Sequence, residues 1–211
     1  RGMICVAYFP NRLFRMTREE ISFFDNIAPK WDSMEHKSTP EKVNGLLDLV
    51  GVSGGMSVLD LGTGTGVLVP YLSERTGPEG SVTGVDMSEG MLKEARRKYG
   101  ELENVSFIRR DFETDPIEGR YDRVMLYCVY PHLHDPIATI RRISEYNLKP
   151  GGKIEIGFPS DERFINGIHA EKKAESSLLP PAGVLVMRFR LSGMRARVLA
   201  ADPERYLVEI G

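Results

Sequence analysis

Apolar residues along this chain follow two rhythms that take turns. Strand-like segments of five or six residues cover 57–61, 81–86, 104–109, 122–127 and 153–158, the first of them a short apolar run. Runs of that length, bounded by turn residues, read as buried strands. Between them apolar residues return every third or fourth position, the period of an amphipathic helix. Val67, Leu68, Tyr71 and Leu72 make one such stripe, ending near Gly77-Pro78. Leu92, Ala95 and Tyr99 make another behind Ser88 as cap, and Ile137, Ile140 and Ile143 a third opened by Asp135-Pro136. Strands alternating with helices predict βαβ units, a mostly parallel sheet and right-handed crossovers.

The two ends of the chain depart from this alternation. Residues 1–16 show no period. Thr17-Arg-Glu-Glu20 is a capping-box pattern, followed at helical spacing by Ile21, Phe24, Ile27 and Ala28 until Pro29 stops the helix. A second helix opens on Thr39 and Pro40 and carries Val43, Leu46, Leu47 and Val50 on one stripe. Near the other end, Lys149-Pro-Gly-Gly152 reads as a turn into the strand at 153–158. Residues 161–192 look largely helical, broken at Pro180-Pro181, and 195–199 and 205–210 read as strands. Asp202-Pro203 leaves no room between these two for a crossover helix, so they are expected to pair antiparallel.

Composition narrows the class without changing the pattern. The 211 residues suffice for one sizeable core, and 41% hydrophobic with 27% charged residues is ordinary for a soluble globular protein. A formal charge of −2 supplies no global field for nucleic acid or an anionic membrane, so neither is expected as a partner. Two cysteines, Cys5 and Cys128, cannot form a disulfide framework. No stretch approaches 18 apolar residues, and the apolar start is followed by Pro10, Asn11 and Arg12 without a small-residue cleavage site. A cytoplasmic protein is expected.

The sharpest chemical feature is VLDLGTGTG at 58–66, a strand running into a glycine-rich turn and then a helix. Glycines at alternate positions let a ligand lie against bare backbone, and a helix starting near Gly66 would aim its N–H groups at an anionic group. Asp60 adds a fixed negative charge suited to an ammonium. Carboxylate and ammonium side by side are what the methionine half of S-adenosylmethionine presents. A pyrophosphate site of the G-x-G-x-x-G type is disfavoured, since it requires glycine where the chain has Val67. Asp86 ends the second strand 26 residues after Asp60, where it could accept from ribose hydroxyls, with Met87 beside it. Asp111-Phe112 ends the third strand 25 residues further on, where a carboxylate could accept from an adenine amino group. Three acidic residues at the carboxyl ends of three successive strands lie where open α/β sheets bind ligands.

With those residues in place, the chain resembles the class I S-adenosylmethionine-dependent methyltransferases over roughly residues 40–211. VLDLGTGTG (58–66) is similar to that family's first motif and VTGVDMSEGML (82–92) to its ribose-binding segment. RRDFETDPIEGRYDRVMLY (109–127) resembles the adenine loop and fourth strand, and LKPGGKIEIGFP (148–159) the turn into the fifth. The resemblance implies an α/β fold with a doubly wound, seven-stranded, mostly parallel sheet closing on a reversed C-terminal hairpin. It implies S-adenosyl-L-methionine as cofactor, bordered by Asp60, Gly62, Thr63, Gly64 and Gly66. It likewise implies Asp86 on ribose, Met87 on adenine, Asp111 with Phe112 on the adenine edge, and Tyr127 near the sulfonium. Residues 1–39, with Phe23, Phe24 and Trp31, resemble the family's variable N-terminal cap ahead of the cofactor-binding domain at 40–211.

The acceptor should lie after the fourth strand, along Tyr127-Cys-Val-Tyr130-Pro-His132-Leu-His134-Asp135. His132 and His134 are the candidate general bases, because imidazole titrates near neutrality. Cys128 and the histidines, with His169, invite a metal reading, but H-x-H here lacks partners at firm spacing, so no metal is expected. Asp135 is more simply a helix cap. The segment resembles neither the D/N-P-P-Y/F arrangement of base-amine methyltransferases nor a Pro-Cys nucleophile, and a small-molecule acceptor is the favoured expectation. The arginines at 188, 190, 195 and 197 read as a solvated face rather than an RNA groove. Two other functions remain open at this point: a dinucleotide-dependent oxidoreductase on the same sheet, and a cofactor-binding module without transfer activity.

Overall fold

A computed structural model describes residues 18–33, 38–170 and 178–211. Thr17, residues 1–16 and the side chain of His169 lie outside the described residues. The elements in chain order are α1 (Arg18–Ile27), a 3₁₀ turn (Ala28–Ser33), α2 (Pro40–Val50), β1 (Ser57–Leu61), α3 (Val69–Thr76), β2 (Ser81–Asp86) and α4 (Glu89–Tyr99). There follow β3 (Val105–Arg109), β4 (Tyr121–Tyr127), a short 3₁₀ turn (Tyr130–His132) and α5 (Pro136–Asn147). The last are β5 (Leu148–Phe158), α6 (Glu162–Ala170), α7 (Ala182–Leu191), β6 (Ala196–Asp202) and β7 (Arg205–Ile210).

Local chemistry sets the helix starts. Thr39 accepts the Lys42 N–H at the head of α2, Ser88 accepts the Met91 N–H at α4, and Asp135 accepts the Ala138 N–H at α5. Each satisfies a donor that the first helical turn leaves orphaned. Pro29 ends α1 by converting the chain to a 3₁₀ turn rather than to an extended loop.

The seven strands form one sheet in the order β3-β2-β1-β4-β5-β7-β6. β7 runs antiparallel to both β5 and β6, and the remaining pairings are parallel. The sheet is covered on both sides. On one, α5 and α7 bring Ile140, Ile143, Leu185 and Phe189 onto Leu59, Leu61, Val124 and Ile156. On the other, α2 and α3 bring Leu46, Leu47, Leu68 and Leu72 onto Val58, Met125 and Leu207. The strand order reverses between β1 and β4, which opens a crevice above their carboxyl ends.

Three local details differ from the sequence-based expectation. Helix α3 begins at Val69, not near Gly66, because the N–H of Gly66 is spent within the turn on Thr63 O. The Lys149-Pro-Gly-Gly152 turn lies inside β5 as an irregularity: Tyr121 pairs with Leu148, whereas Arg123 pairs with Lys153. Tyr99 is only half-buried, its ring packed beside Gly66.

Candidate functional site

The turn after β1 is built to approach other backbone closely. Gly62 has φ +70°, and a Cβ there would fall 2.5 Å from Val129 Cγ2, so only glycine fits. Gly66, at φ +87°, is required for a different reason, since a Cβ would strike the Tyr99 ring at 2.9 Å. Gly64, at φ +56°, has nothing among the described residues within 4 Å of a notional Cβ, so they leave its backbone bare along the crevice. Asp86, at the end of β2, joins this turn to the next helix: Oδ2 accepts the Gly64 N–H at 2.9 Å and Oδ1 the Ser88 N–H at 2.9 Å. Each oxygen keeps a second lone pair. Burial pushes the Asp86 carboxyl above its usual pKa, opposed by those N–H donors.

Beneath the turn, Asp60 is 2% exposed and accepts from Thr63 Oγ1 at 2.7 Å. Burial raises its pKa to about 7, with the Thr63 hydroxyl acting against and the Asp86 charge adding to the rise. After β3, Asp111 Oδ1 accepts the Glu113 N–H at 3.0 Å, and Phe112 is buried beside it.

The exit from β4 is strained. Cys128 has φ +60°, a left-handed conformation costing a β-carbon-bearing residue about 1–2 kcal/mol. Its N–H is held by Gly157 O at 2.9 Å, which fixes the bend that lays Val129 over Gly62.

These segments enclose a pocket of about 730 Å³, part of it open to solvent. Gly62, Gly64, Asp86 and Met87 form one side, and Asp111, Phe112 and Glu113 the next. Cys128, Val129, His132 and Leu133 close a third side, and Ile21, Phe24 and Trp31 lie across the top. Phe24 packs edge-on against Trp31 at 5.9 Å and against His132 at 6.2 Å. Two aspartates clasp this cover to the sheet domain. Asp25 Oδ1 accepts from Ser88 Oγ at 2.6 Å and from the Gly90 N–H at 2.8 Å. Asp32 accepts from Thr65 Oγ1 at 2.7 Å and from Lys98 Nζ at 2.8 Å.

The pocket therefore gathers Gly62, Gly64, Asp86, Met87, Asp111, Phe112 and His132 from the residues singled out in the sequence. Asp60, Thr63 and Gly66 support the turn from behind rather than line the space. Tyr127 points to the opposite face, where its hydroxyl donates to Ser38 Oγ at 2.9 Å, because strand side chains alternate. His134 does not line the pocket: its Nδ1 lies 2.6 Å from Glu113 Oε2, and its Nε2 is buried with no hydrogen-bond partner among the described residues. Asp25, Asp32 and Glu113 went unnoticed in the sequence, since their partners lie 63, 33 and 21 residues away.

A glycine turn after the first strand and acidic side chains after the second and third, on a doubly wound sheet, define a Rossmann-like site for a nucleoside-bearing ligand. Residues 52–189 match the profile of a methyltransferase domain family. The chain is 32% identical over 139 residues to the demethylmenaquinone methyltransferase of Staphylococcus aureus, covering 62% of this chain and 56% of that protein. It spans 39% and 56% of the length of the first relatives it matches. Its fold is similar to an S-adenosylmethionine-dependent methyltransferase from Aquifex aeolicus, with TM-score 0.68, 21% identity, and coverage of 93% and 98% of the two chains. It is also similar to DhpI, solved as a complex named DhpI-SAM-HEP, with TM-score 0.69, 19% identity, and coverage of 95% and 100%. The chain belongs to the methyltransferase domain family, within the class I S-adenosylmethionine-dependent methyltransferases.

Proposed function

We propose that this chain transfers a methyl group from S-adenosyl-L-methionine to a nucleophile on a small, largely apolar molecule. The observation that carries the reading is the Asp86 carboxylate, held at the pocket wall by Gly64 and Ser88 with a lone pair left on each oxygen. Two remaining acceptor sites suit two vicinal ribose hydroxyls. Bare backbone at Gly64 suits the methionine portion, and Asp60 lies below it as the compensating charge. Met87 and Phe112 offer apolar surface to adenine, and Asp111 an acceptor for its amino group.

When bound, the sulfonium supplies an already activated methyl group, so the chain's residues have two tasks: in-line positioning and removal of a proton. Phe24, Trp31, Val129 and Leu133 provide an apolar seat for the acceptor and exclude water. His132, at the same wall, is the base we assign. His134 acts as a positioning residue, tying the loop after β4 to Glu113. Residues 18–33 serve as the lid, and the sheet domain from residue 40 onward carries the cofactor. The likeness to a demethylmenaquinone methyltransferase favours a hydroxylated aromatic acceptor. Two cysteines without a disulfide framework fit a cytoplasmic setting, and no helix among the described residues is long and apolar enough to cross a membrane.

A transfer assay over hydroxylated aromatic acceptors, read by mass spectrometry, tests this. One methyl added per turnover is expected, with His132→Ala slowing turnover about 100-fold or more while cofactor affinity stays unchanged. Transfer to no small acceptor, or full activity in His132→Ala, would overturn the acceptor and base assignments respectively.

A further inference from the structure

Helix α7 is apolar on two opposite sides, and the sheet covers only one of them. Ala182, Leu185, Val186 and Phe189 are buried. Val184, Met187 and Leu191 are exposed at 43%, 60% and 83%. At the helical period these three fall within an arc of roughly 60° on the outward side. Arg188 and Arg190 border that arc, one on each side. An amphipathic helix against a core normally turns polar residues to water, so an aliphatic outer stripe edged by arginines calls for a partner.

The charge along this stretch of the chain is of one sign. Residues 178–201 contain four arginines and no Asp or Glu, in a chain whose formal charge is −2. Arg190 Nε donates to Ala196 O at 2.9 Å and Arg195 Nε to Gly211 O at 3.0 Å. Those bonds fix the guanidinium planes, and both arginines line a surface hollow with Lys153, Arg197, Glu209 and Gly211. Arg141 Nη2 donates to Ser192 O at 2.7 Å, directly beyond Leu191. The other two arginines are engaged: Arg197 pairs with Glu209 at 2.8 Å, and Arg188 lies beside the Tyr130 hydroxyl, whose pKa burial raises and Arg188 only partly restrains. Leu191, 83% exposed, thus stands between Arg190 and Ser192, the residue whose carbonyl Arg141 holds, with Arg195 at the start of the following strand.

We propose that this face of α7 lies on the surface of an anionic phospholipid bilayer. Val184, Met187 and Leu191 would enter the boundary of headgroups and acyl chains, while Arg141, Arg190 and Arg195 meet lipid phosphates. A short helix with an apolar stripe and basic flanks is the arrangement that lies in a membrane interface without crossing it. A protein partner is less well matched, because no Trp or Tyr stands in the stripe to anchor an interface. A whole-chain charge of −2 argues against long-range attraction only. Within a Debye length of about 8 Å the local arginines dominate, so the expectation of no membrane partner, drawn from net charge, does not reach this face. These observations are independent of the methyl-transfer reading.

Flotation of the full chain with vesicles tests the proposal. Binding is expected to phosphatidylcholine vesicles containing phosphatidylglycerol, to weaken with salt, and to be absent with phosphatidylcholine alone. Met187→Ser/Leu191→Ser and Arg190→Gln/Arg195→Gln should each lower the bound fraction about ten-fold. Both variants should retain cofactor affinity, since these side chains lie outside the pocket, and a cooperative thermal melt of each shows that it folds. No flotation with anionic vesicles would overturn the proposal. So would binding abolished by the arginine changes and by free inorganic phosphate but indifferent to Met187 and Leu191, which would mark an anion site. A dimer in light scattering that Met187→Ser/Leu191→Ser dissociates would instead assign the face to a second copy of the chain.

Discussion

Asp60 has the least water of any carboxylate beside the pocket, and its titration links the site to stability. Its folded pKa of about 7 stands above the ordinary 3.8, so its contribution to stability is fully present below about pH 4 and is lost as pH rises through about 7. A ligand ammonium placed above it favours the ionised form. Cofactor affinity should therefore climb as pH rises from about 6 to 8 and then level off. Calorimetry across that range checks this, and Asp60→Asn should flatten the profile; a pH-independent affinity in the parent chain would refute it. At this scale the sequence showed which residue types end each strand, and Asp86, Asp111 and His132 do reach the pocket. It did not show which way side chains point. Tyr127 and Leu126 differ by one position, and alternation sends Tyr127 to the far face; Gly66 looks like a ligand-facing glycine until Tyr99 is seen against it.

Among elements, α1 depends most on distant partners. Its Asp25 caps the amino end of α4 from outside, reaching Ser88 Oγ and the Gly90 N–H, where a helix dipole favours a carboxylate. Gly90 permits this, because a Cβ there would lie 2.6 Å from Asp25 Cα. Losing both charge-assisted bonds in Asp25→Ala should cost roughly 2 kcal/mol of lid closure, or about thirty-fold in cofactor affinity. The melting temperature should move little, and a titration beside a thermal melt separates the two. The sheet carries a second burden. Glu155 on β5 is fully buried opposite Glu209 on β7, and its nearest cation, Arg123 Nε, lies 3.5 Å away. Burial drives its carboxyl well above the usual range; Arg123 opposes this and Glu209 adds to it. The fold is thus most stable where Glu155 is protonated, and loses up to about 1.4 kcal/mol per pH unit as pH rises towards its folded pKa. Glu155→Gln should melt within a degree or two of the parent at about pH 5 and several degrees above it at about pH 8. An equal difference at both pH values would contradict this account. The strand-and-helix rhythm located every strand to within about three residues at either end, apart from the start of β5, because short segments bounded by turn residues recur between helical stripes. It could not foresee that Glu155 would be fully buried, since a Glu between apolar neighbours has the same local pattern as one at a sheet edge.

At the scale of the whole molecule, the glycine turn, the Asp86 carboxylate and the bend at Cys128 come from three different strands. They meet only because the sheet order reverses between β1 and β4. The doubly wound, mostly parallel sheet and its reversed C-terminal hairpin were legible through the motifs and their resemblance, whereas the strand order, the clasp by Asp25 and Asp32 and the two-sided α7 were not. Each of these rests on contacts between segments far apart in the chain or on a face that no local period distinguishes from core. The central claim is that this crevice grips a zwitterionic thio-nucleoside through Asp86. Isothermal titration of the full chain with S-adenosylhomocysteine, set beside Asp86→Ala, tests it most directly. One site per chain is expected in the parent, weakened about 100-fold or more in the variant, as loss of two charge-assisted hydrogen bonds requires. No binding to the parent chain, or equal affinity in the variant, would contradict it.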